Sequence, residues 1–332
     1  MKILITGATG FVGGHFIRTM SALYGKENVH GTGRNKEQAA ILHAEGFTIK
    51  CGDLLDVDFV ETHLNSYDVY VHCAAKSSIW GTYESFYEAN VHATQNLLNS
   101  VPSKSQFIYI SSANIYFSYS DRNSISEEDE LFLSNSYSNT KRKAELLVLS
   151  SPNIVSTILR ARAILGIGDT VVFPRLIRAY QENRLRIVGS GKNEIDFTSI
   201  NNLCHSVVLC IQKKEIANGQ VYNITNGDTI VLWDEIKSVL IGLGYDKKLR
   251  TIPYVFANLL ARFQEFKTSL KSNEPAMTCY GVAVLNYSIS LNINKAQTDL
   301  GYYPIESSKQ TLNDFEGWYK KQQIVLNEKA EA

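Results

Sequence analysis

The sequence runs to 332 residues, 44% of them hydrophobic and 20% charged, with Lys+Arg and Asp+Glu both at 33. That composition excludes a disordered or collagen-like chain, and zero net charge gives no electrostatic case for nucleic acid or an anionic membrane as the main partner. Cys51, Cys73, Cys204, Cys210 and Cys279 are odd in number and contain no CxxC pair, which argues against a disulfide framework or a zinc site and for a reducing, cytoplasmic setting.

In chain order, short apolar runs predict strands at 2–6, 28–31, 48–51, 68–73, 106–111 and 155–160. Between them lie helix-length segments at 11–24, 36–45, 57–65, 83–100 and 137–150. Strict alternation of this kind predicts an α/β fold with a doubly wound parallel sheet. Val69-Tyr70-Val71 and Phe107-Ile108-Tyr109-Ile110 are apolar on both faces, as strands are when helices cover each side. Beyond about residue 165 the alternation loosens. The expected division is a first domain over 1–165 and a smaller lobe over 166–332, with segments near 196–226 packing back on the first. The apolar run Ile3-Leu4-Ile5 stops at Thr6-Gly7, too short for a secretory signal. In the long uncharged stretch 275–294, Tyr287–Ile293 alternates with period two and predicts a half-buried strand, not a membrane span.

Thr6-Gly7-Ala8-Thr9-Gly10-Phe11-Val12-Gly13 follows the first strand and opens the first helix. In a dinucleotide-binding turn such glycines have three jobs. One permits the tight turn, one lets backbone approach a pyrophosphate, and one lets helix pack on strand. The helix N-terminus adds oriented N–H groups for the phosphates. Further on, Tyr137-Ser138-Asn139-Thr140-Lys141 sets a phenol and an ammonium four residues apart, on one helical face, behind the capping candidates Ser134-Asn135-Ser136. A nearby cation favours the phenolate, and lowering a tyrosine pKa by three units takes about 4 kcal/mol. The seven histidines show no HExxH or other metal spacing, so no metal site is expected.

The GxxGxxG spacing of residues 7–13 resembles the opening of the extended short-chain dehydrogenase/reductase superfamily, of the epimerase/dehydratase type. The resemblance implies a Rossmann fold, a nicotinamide cofactor and a C-terminal substrate lobe. It extends to Tyr109-Ile110-Ser111-Ser112-Ala113-Asn114-Ile115-Tyr116, in which the catalytic serine maps onto Ser112. The implied catalytic set is Ser112, Tyr137 and Lys141. Ser112 would orient a substrate carbonyl, Tyr137 would exchange the hydroxyl proton, and Lys141 would hold the ribose and lower the tyrosine pKa. The implied cofactor contacts are Gly7, Thr9, Gly10, Phe11, Val12 and Gly13 in the turn, Arg34, then Asp53 and Leu54. Ala74, Ala75 and Lys76 after the fourth strand, with Tyr137 and Lys141, complete them. Asp53 reads equally as an adenine contact or as the N-cap of the following helix. Asn90 reads as a structural or water-holding residue.

The second strand ends His30-Gly31-Thr32-Gly33-Arg34-Asn35, with no acid before Glu37. An NAD site places Asp or Glu there, whereas Arg34 can pair with a 2′-phosphate, so NADP(H) is expected over NAD(H). A homodimer through the 83–100 and 137–150 helices follows from the resemblance alone.

Nucleotide-sugar members usually carry an Arg before an acidic–aromatic pair in the second lobe, and Ile195 stands in that place, before Asp196-Phe197. Arg160–Asp169, Tyr222–Gly227, Glu274–Thr278 and Lys295–Pro304 instead resemble the 3β-hydroxysteroid dehydrogenase group and the bacterial long-chain β-keto acid reductases. Ala161 and Ile167 replace prolines usual in those relatives. The expected activity is hydroxyl/ketone interconversion on a hydrophobic substrate. The alternatives are a nucleotide-sugar epimerase, dehydratase or reductase and, more remotely, a non-catalytic NADP(H) sensor. Residues 251–267 read as an amphipathic helix, either packed on the lobe core or serving as a lid or weak membrane-surface contact, with Arg262, Lys267 and Lys271 nearby.

Overall fold

Ile3–Thr6 (β1) is wholly buried and pairs in parallel with two neighbours, Ile3 facing both Val29 and Val69. The computed structural model describes residues 1–78, 80–269 and 275–331, so Lys271 and Glu274 lie outside it. Val29–Gly33 (β2), Thr48–Cys51 (β3), Val69–His72 (β4) and Gln106–Ser112 (β5) follow in the first half. Arg122–Ile125 (β6), Val155–Ala161 (β7), Ile164–Leu165 (β8), Ile187–Val188 (β9), Glu194–Ile195 (β10), Thr198–Ser199 (β11) and Gln220–Ile224 (β12) come next.

The central sheet has seven parallel strands in the order β12-β7-β5-β4-β1-β2-β3. The chain reverses direction across the sheet between β1 and β4, and at such a switch point the carboxyl ends of the strands open a crevice. The helices Phe11–Tyr24 (α1), Lys36–Ala44 (α2), Val57–His63 (α3), Tyr83–Tyr87 (α4), Ala93–Ser100 (α5) and Ser136–Ser150 (α6) cover the two faces. Phe16, Ile17 and Met20 of α1 seal one face, while Val60, Leu97, Ala144 and Val148 seal the other. Each such side chain contributes roughly 1.5–3 kcal/mol by leaving water, which is why both-face apolar strands settle in the middle.

The expected helix over 83–100 forms, with a π turn within it at Glu88–His92. Asn90 sits in it, buried, and its side chain accepts from Lys76 N at 2.7 Å and donates to Lys76 O and Thr140 Oγ1. A π bulge at a polar residue is a common mark of a functional site.

The second half returns to the sheet through β12 and through Ile200–Gln212 (α8), whose Leu203, Val207 and Cys210 join the α1 side of the core. A separate core gathers Phe173, Ile177 and Tyr180 of Val172–Gln181 (α7), Trp233 and Ile236, and Phe315. Lys214–Ala217 (α9) packs beside α8 on the sheet, while Leu232–Gly242 (α10), Tyr254–Ser269 (α11) and Cys279–Val284 (α12) belong to the second core, in the lobe.

Ile230–Val231 (β13), Thr251–Ile252 (β14) and Ile289–Leu291 (β15) are its short strands, so the alternating run 287–293 yields a strand of three residues. The expected amphipathic helix starts at Tyr254, because Thr251–Ile252 pairs with β9 instead. It faces the other way from ordinary core packing. Ala257 and Ala261 are buried, while Val255, Phe256, Leu259, Leu260, Phe263 and Phe266 are 50–73% exposed.

Candidate active site

The turn after β1 is built around what a Cβ would do. Gly7 has φ +68°, and a methyl there would lie 3.0 Å from the Ala74 backbone. One on Gly13 would meet Gly7 O at 2.2 Å, so the first turn of α1 rests directly on the loop. Gly10 differs: only Gly7 O comes near, at 3.3 Å, and the rest of its surroundings are open. Gly10 is also the N-cap of α1 and brings no side chain to the helix end. A bare helix N-terminus bordering open space suits a pyrophosphate. Thr9 packs into the space left by Gly33, where a Cβ would strike its Oγ1.

A cavity of about 560 Å³ runs from this turn across the carboxyl ends of the strands. Gly7, Thr9, Gly10, Phe11, Val12 and Gly13 form one wall, and Arg34, Asp53 and Leu54 close the β2–β3 end. Ala74, Ala75, Ser112, Tyr137 and Lys141 line the other end. Lys76 stands apart from these residues; its ammonium is held by Ser85 Oγ at 2.7 Å, over the Phe86 ring. Asp53 is not a helix cap. Asp56 caps α3 by accepting from Phe59 N, while Asp53 accepts from Leu55 N at 3.0 Å and lies 3.4 Å from the exposed Arg34 guanidinium.

Sequence reasoning passed over the support beneath Ala74 and Ala75. His72 is fully buried between Thr6 Oγ1, at 2.7 Å, and Thr94 Oγ1, at 2.9 Å, and Thr6 Oγ1 accepts from Ala74 N. Burial, with the Lys141 charge adding, lowers the His72 pKa to about 3, so this histidine is a neutral strut. The loop 166–172, part of which the sequence singled out at Ile167, is fastened in ways it did not show: Ile167 O accepts from His15 Nε2 at 2.7 Å, and Asp169 caps α7 by accepting from Val171, Val172 and Phe173 N–H. The glycines and Asp169 were the available signal.

Ser112 ends β5 opposite Ala161 of β7, and its Oγ accepts from Asn114 N at 3.2 Å. Asn135 caps α6 in a reciprocal box with Ser138, so the helix begins just before Tyr137 and carries it to the cavity. Ser112 hydrogen-bonds the Tyr137 phenol. One turn on, the buried Lys141 donates to Ile110 O at 2.7 Å and lies 4.0 Å over the Tyr109 ring.

The electrostatics correct the expectation from spacing. Burial raises the Tyr137 pKa, opposed by the Ser112 hydrogen bond, so the phenol is held protonated. Lys141 is committed to the strand carbonyl and the Tyr109 ring, and burial lowers its own pKa to about 7, with Glu145 and Cys73 opposing. Helical spacing sets two side chains on one face but does not say which partner a long lysine chooses.

A second chamber of about 300 Å³ meets the first at Ser77 and Tyr137. Trp80, Phe86, Tyr119, Thr278, Cys279 and Tyr280 line it, with Asn114 hydrogen-bonded to the Tyr280 hydroxyl. Glu265 of α11 is the one charged residue among the described residues lining it. Ile195 is buried among Ile115, Ile125 and Ile289 in a small core under β10 and lines neither chamber.

Known proteins are similar to this chain over nearly its whole length. Sterol-4-alpha-carboxylate 3-dehydrogenase erg26, decarboxylating, of Schizosaccharomyces pombe is 26% identical, covering 96% of this chain and 97% of its own. The 2-alkyl-3-oxoalkanoate reductase of Stenotrophomonas maltophilia is 27% identical, covering 94% and 97%. The fold is shared with UDP-glucuronic acid 4-epimerase from Bacillus cereus, solved in complex with NAD, at a TM-score of 0.74, 23% identity, and 97% and 99% coverage. The NAD dependent epimerase/dehydratase family matches residues 3–225, and the chain belongs to that family of NAD-dependent enzymes acting on hydroxyl groups.

Proposed function

We propose that this enzyme interconverts a hydroxyl and a ketone on a hydrophobic substrate, a sterol-like ketone or a long-chain β-keto acid, with NADP(H) preferred over NAD(H). The observation that carries the reading is the second chamber. It opens at the Tyr137 phenol, sets the rings of Trp80, Phe86, Tyr119 and Tyr280 among Ser, Asn and Thr side chains, and has no Lys or Arg among the described residues that line it. The cation nearest to a nucleotide-sugar diphosphate held there is Lys76, over the Phe86 ring and already bonded to Ser85, so the charge-assisted contacts that such a group recruits would be few. The sterol body and alkyl chain named for the sterol dehydrogenase and the oxoalkanoate reductase could lie on these rings with their single carboxylate turned away from Glu265.

The residues also fit the cofactor. Bare backbone at Gly10 and the open N-terminus of α1 would hold the pyrophosphate, and Arg34 is exposed at the end of β2, where a 2′-phosphate could pair with it. When bound, the nicotinamide supplies or accepts the hydride. Ser112 would donate to the substrate oxygen and stabilise negative charge as it develops there. The protonated phenol of Tyr137 would deliver the proton in the reducing direction. Lys141, with a pKa of about 7, would bind a ribose hydroxyl and gain or lose charge near neutrality. Loop 166–172, tied to α1 through His15, would close the nicotinamide end. The helices α4, α5 and α6, with Tyr83 and Leu146 exposed, are the proposed homodimer face.

The test follows nicotinamide absorbance with NADPH or NADH and a panel of 3-ketosteroids, long-chain β-keto acids and nucleotide sugars. Steady oxidation is expected with an apolar ketone, reduced about a thousandfold in Tyr137→Phe, the loss of a proton donor and its orienting hydrogen bond. Turnover confined to a nucleotide sugar would refute the substrate class. Sedimentation of the purified protein as a monomer would remove the dimer.

A further inference from the structure

One cation near the Tyr137 phenol has no part in the cofactor cavity. Ala75 and Ser77 line that cavity, but Lys76 between them does not. The Lys76 backbone is fixed from both sides by Asn90 in the π turn, which accepts from Lys76 N and donates to Lys76 O. The side chain runs toward the second chamber instead. Its ammonium lies 5.0 Å from the centre of the Phe86 ring, and that ring is 6.3 Å from the ring of Tyr137. A single aromatic ring thus stands between the cation and the phenol. A Cβ on Gly81 would come within 3.0 Å of Lys76 Nζ, so the missing side chain leaves the ammonium directly behind the wall. Gly81 and Phe86 both line the chamber.

Two groups here lack the partner that their chemistry asks for. Among the described residues the ammonium's one hydrogen bond goes to a neutral hydroxyl, Ser85 Oγ at 2.7 Å. A part-buried ammonium answered only by a hydroxyl leaves room for the stronger, charge-assisted bond to a carboxylate. Ser134, on the stretch that leads to Tyr137, lines the same chamber, and its Oγ is buried with no partner among the described residues. Such a hydroxyl calls for a group that the protein does not supply. The acid on the wall is different. Glu265 accepts from Cys279 N at 2.8 Å and shares the Cys279 side chain with Arg262, so it offers an incoming anion nothing. One compact ammonium on a flexible four-carbon stem suits one carboxylate, not a diphosphate.

We infer that Lys76 is the anchor for a substrate carboxylate, its ammonium turning from Ser85 past Gly81 to pair with the acid group while Ser134 Oγ donates to it. Because the cation stands one ring from the phenol, the carboxylate it holds lies close to the carbon that Tyr137 serves. The inference rests on the proposed hydroxyl/ketone reading and narrows its substrate to a 3-hydroxy or 3-oxo acid. The apolar body of that acid lies on the rings of Trp80, Tyr119 and Tyr280.

The experiment compares a long-chain 3-hydroxy acid with its methyl ester, which keeps the chain and loses the charge. Oxidation is followed by absorbance with NADP+ or NAD+. Binding is measured by titration calorimetry with the reduced cofactor present, where no turnover occurs. The unmodified enzyme should favour the acid in both. Lys76→Met should raise the KM for the acid about 10–100-fold, with a much smaller change in kcat, and remove its advantage over the ester. Lys76→Glu should invert the preference, and Lys76→Arg, the milder change if the others fold poorly, should keep it. An acid preference that survives Lys76→Met overturns the proposal, as does an unmodified enzyme with no acid preference. Weaker NADPH binding in Lys76→Met, with the acid-to-ester ratio kept, would assign Lys76 to the cofactor and overturn it too. Turnover of neutral ketones without an acid preference would remove the anchor and leave the proposed function standing. Acid-selective binding lost in Lys76→Met, with no ketone or alcohol turned over, would keep the anchor and remove the oxidoreductase reading.

Discussion

The sheet around α6 and the helix α11 handle polarity in opposite ways. Beside the sheet, charged groups are taken inside and each is answered. The fully buried Glu145 accepts from Ser111 Oγ at 2.6 Å, from Arg160 Nε and a second Arg160 nitrogen at 3.0 and 2.9 Å, and from Arg142 at 2.9 Å. On α11, apolar groups are left outside. Both arrangements cost folding energy, and each lies against one of the two chambers. Sites are where a fold departs from the cheapest distribution of its side chains.

The contrast breaks most severely at Glu145. Burial pushes its pKa up, but Arg160, Ser111 and Arg142 outweigh that and hold it below the usual carboxylate range. Arg160 also donates to the Tyr116 hydroxyl at 2.5 Å, so one network ties α6, β5 and β7 together beneath Ser112 and Tyr137. Glu145→Ala strands a buried guanidinium and should cost about 3–5 kcal/mol in denaturant unfolding. A loss near zero would mean that the network is idle.

Lys141 comes next and runs the other way. Its folded pKa, about 7, lies below the unfolded value of 10.5, so between those values the unfolded chain binds more protons and the lysine's penalty fades as pH rises. Lys141→Met should therefore stabilise the fold by about 1–3 kcal/mol at pH 7 while abolishing turnover. The gain over the unmodified chain should shrink toward pH 10. A methionine variant that melts lower at pH 7 would show that the hydrogen bond to Ile110 O outweighs the desolvation of the charge.

These two residues mark how far the sequence was legible. Period and alternation located six of the seven strands of the central sheet, all but the edge strand β12, and the glycine spacing located the turn, because both are local backbone demands. The cap at Asn135 was visible for the same reason. Hidden were the choices that depend on what lies across the fold: Lys141 reaching to Ile110, Asp53 leaving the helix cap to Asp56, and Asn90 turning a helix into a π bulge to hold Lys76. The second chamber, assembled from residues at 77–78, 80–81, 86, 114, 119, 134–137, 265 and 278–280, has no sequence signature of its own. On α11 the apolar period was correct and its direction was open, since a stripe does not say whether core, lipid or partner covers it.

At the cofactor end the comparison sharpens around an exposed charge. Arg34 lies 3.4 Å from Asp53 across the cavity mouth, a pair too open to hold the fold together. Arg34→Ala should leave the melting temperature unchanged and weaken NADPH binding about tenfold, with NADH affected little. Equal loss for both cofactors would place Arg34 on the shared adenosine and remove the NADP(H) preference.

The smallest effect is the most diagnostic of the outward helix. Leucine to serine in a core typically costs several kcal/mol, because apolar contacts are lost and a hydroxyl is buried. Leu259 is 64% exposed, so its side chain has little burial to lose on substitution. Leu259→Ser should shift unfolding by less than about 0.5 kcal/mol in lipid-free buffer. A core-sized loss there would mean that solution packing covers α11, and the outward face would then belong to the protein's own stability. A near-zero loss leaves the apolar stripe without a folding role, which sets it apart from the buried residues of the second core.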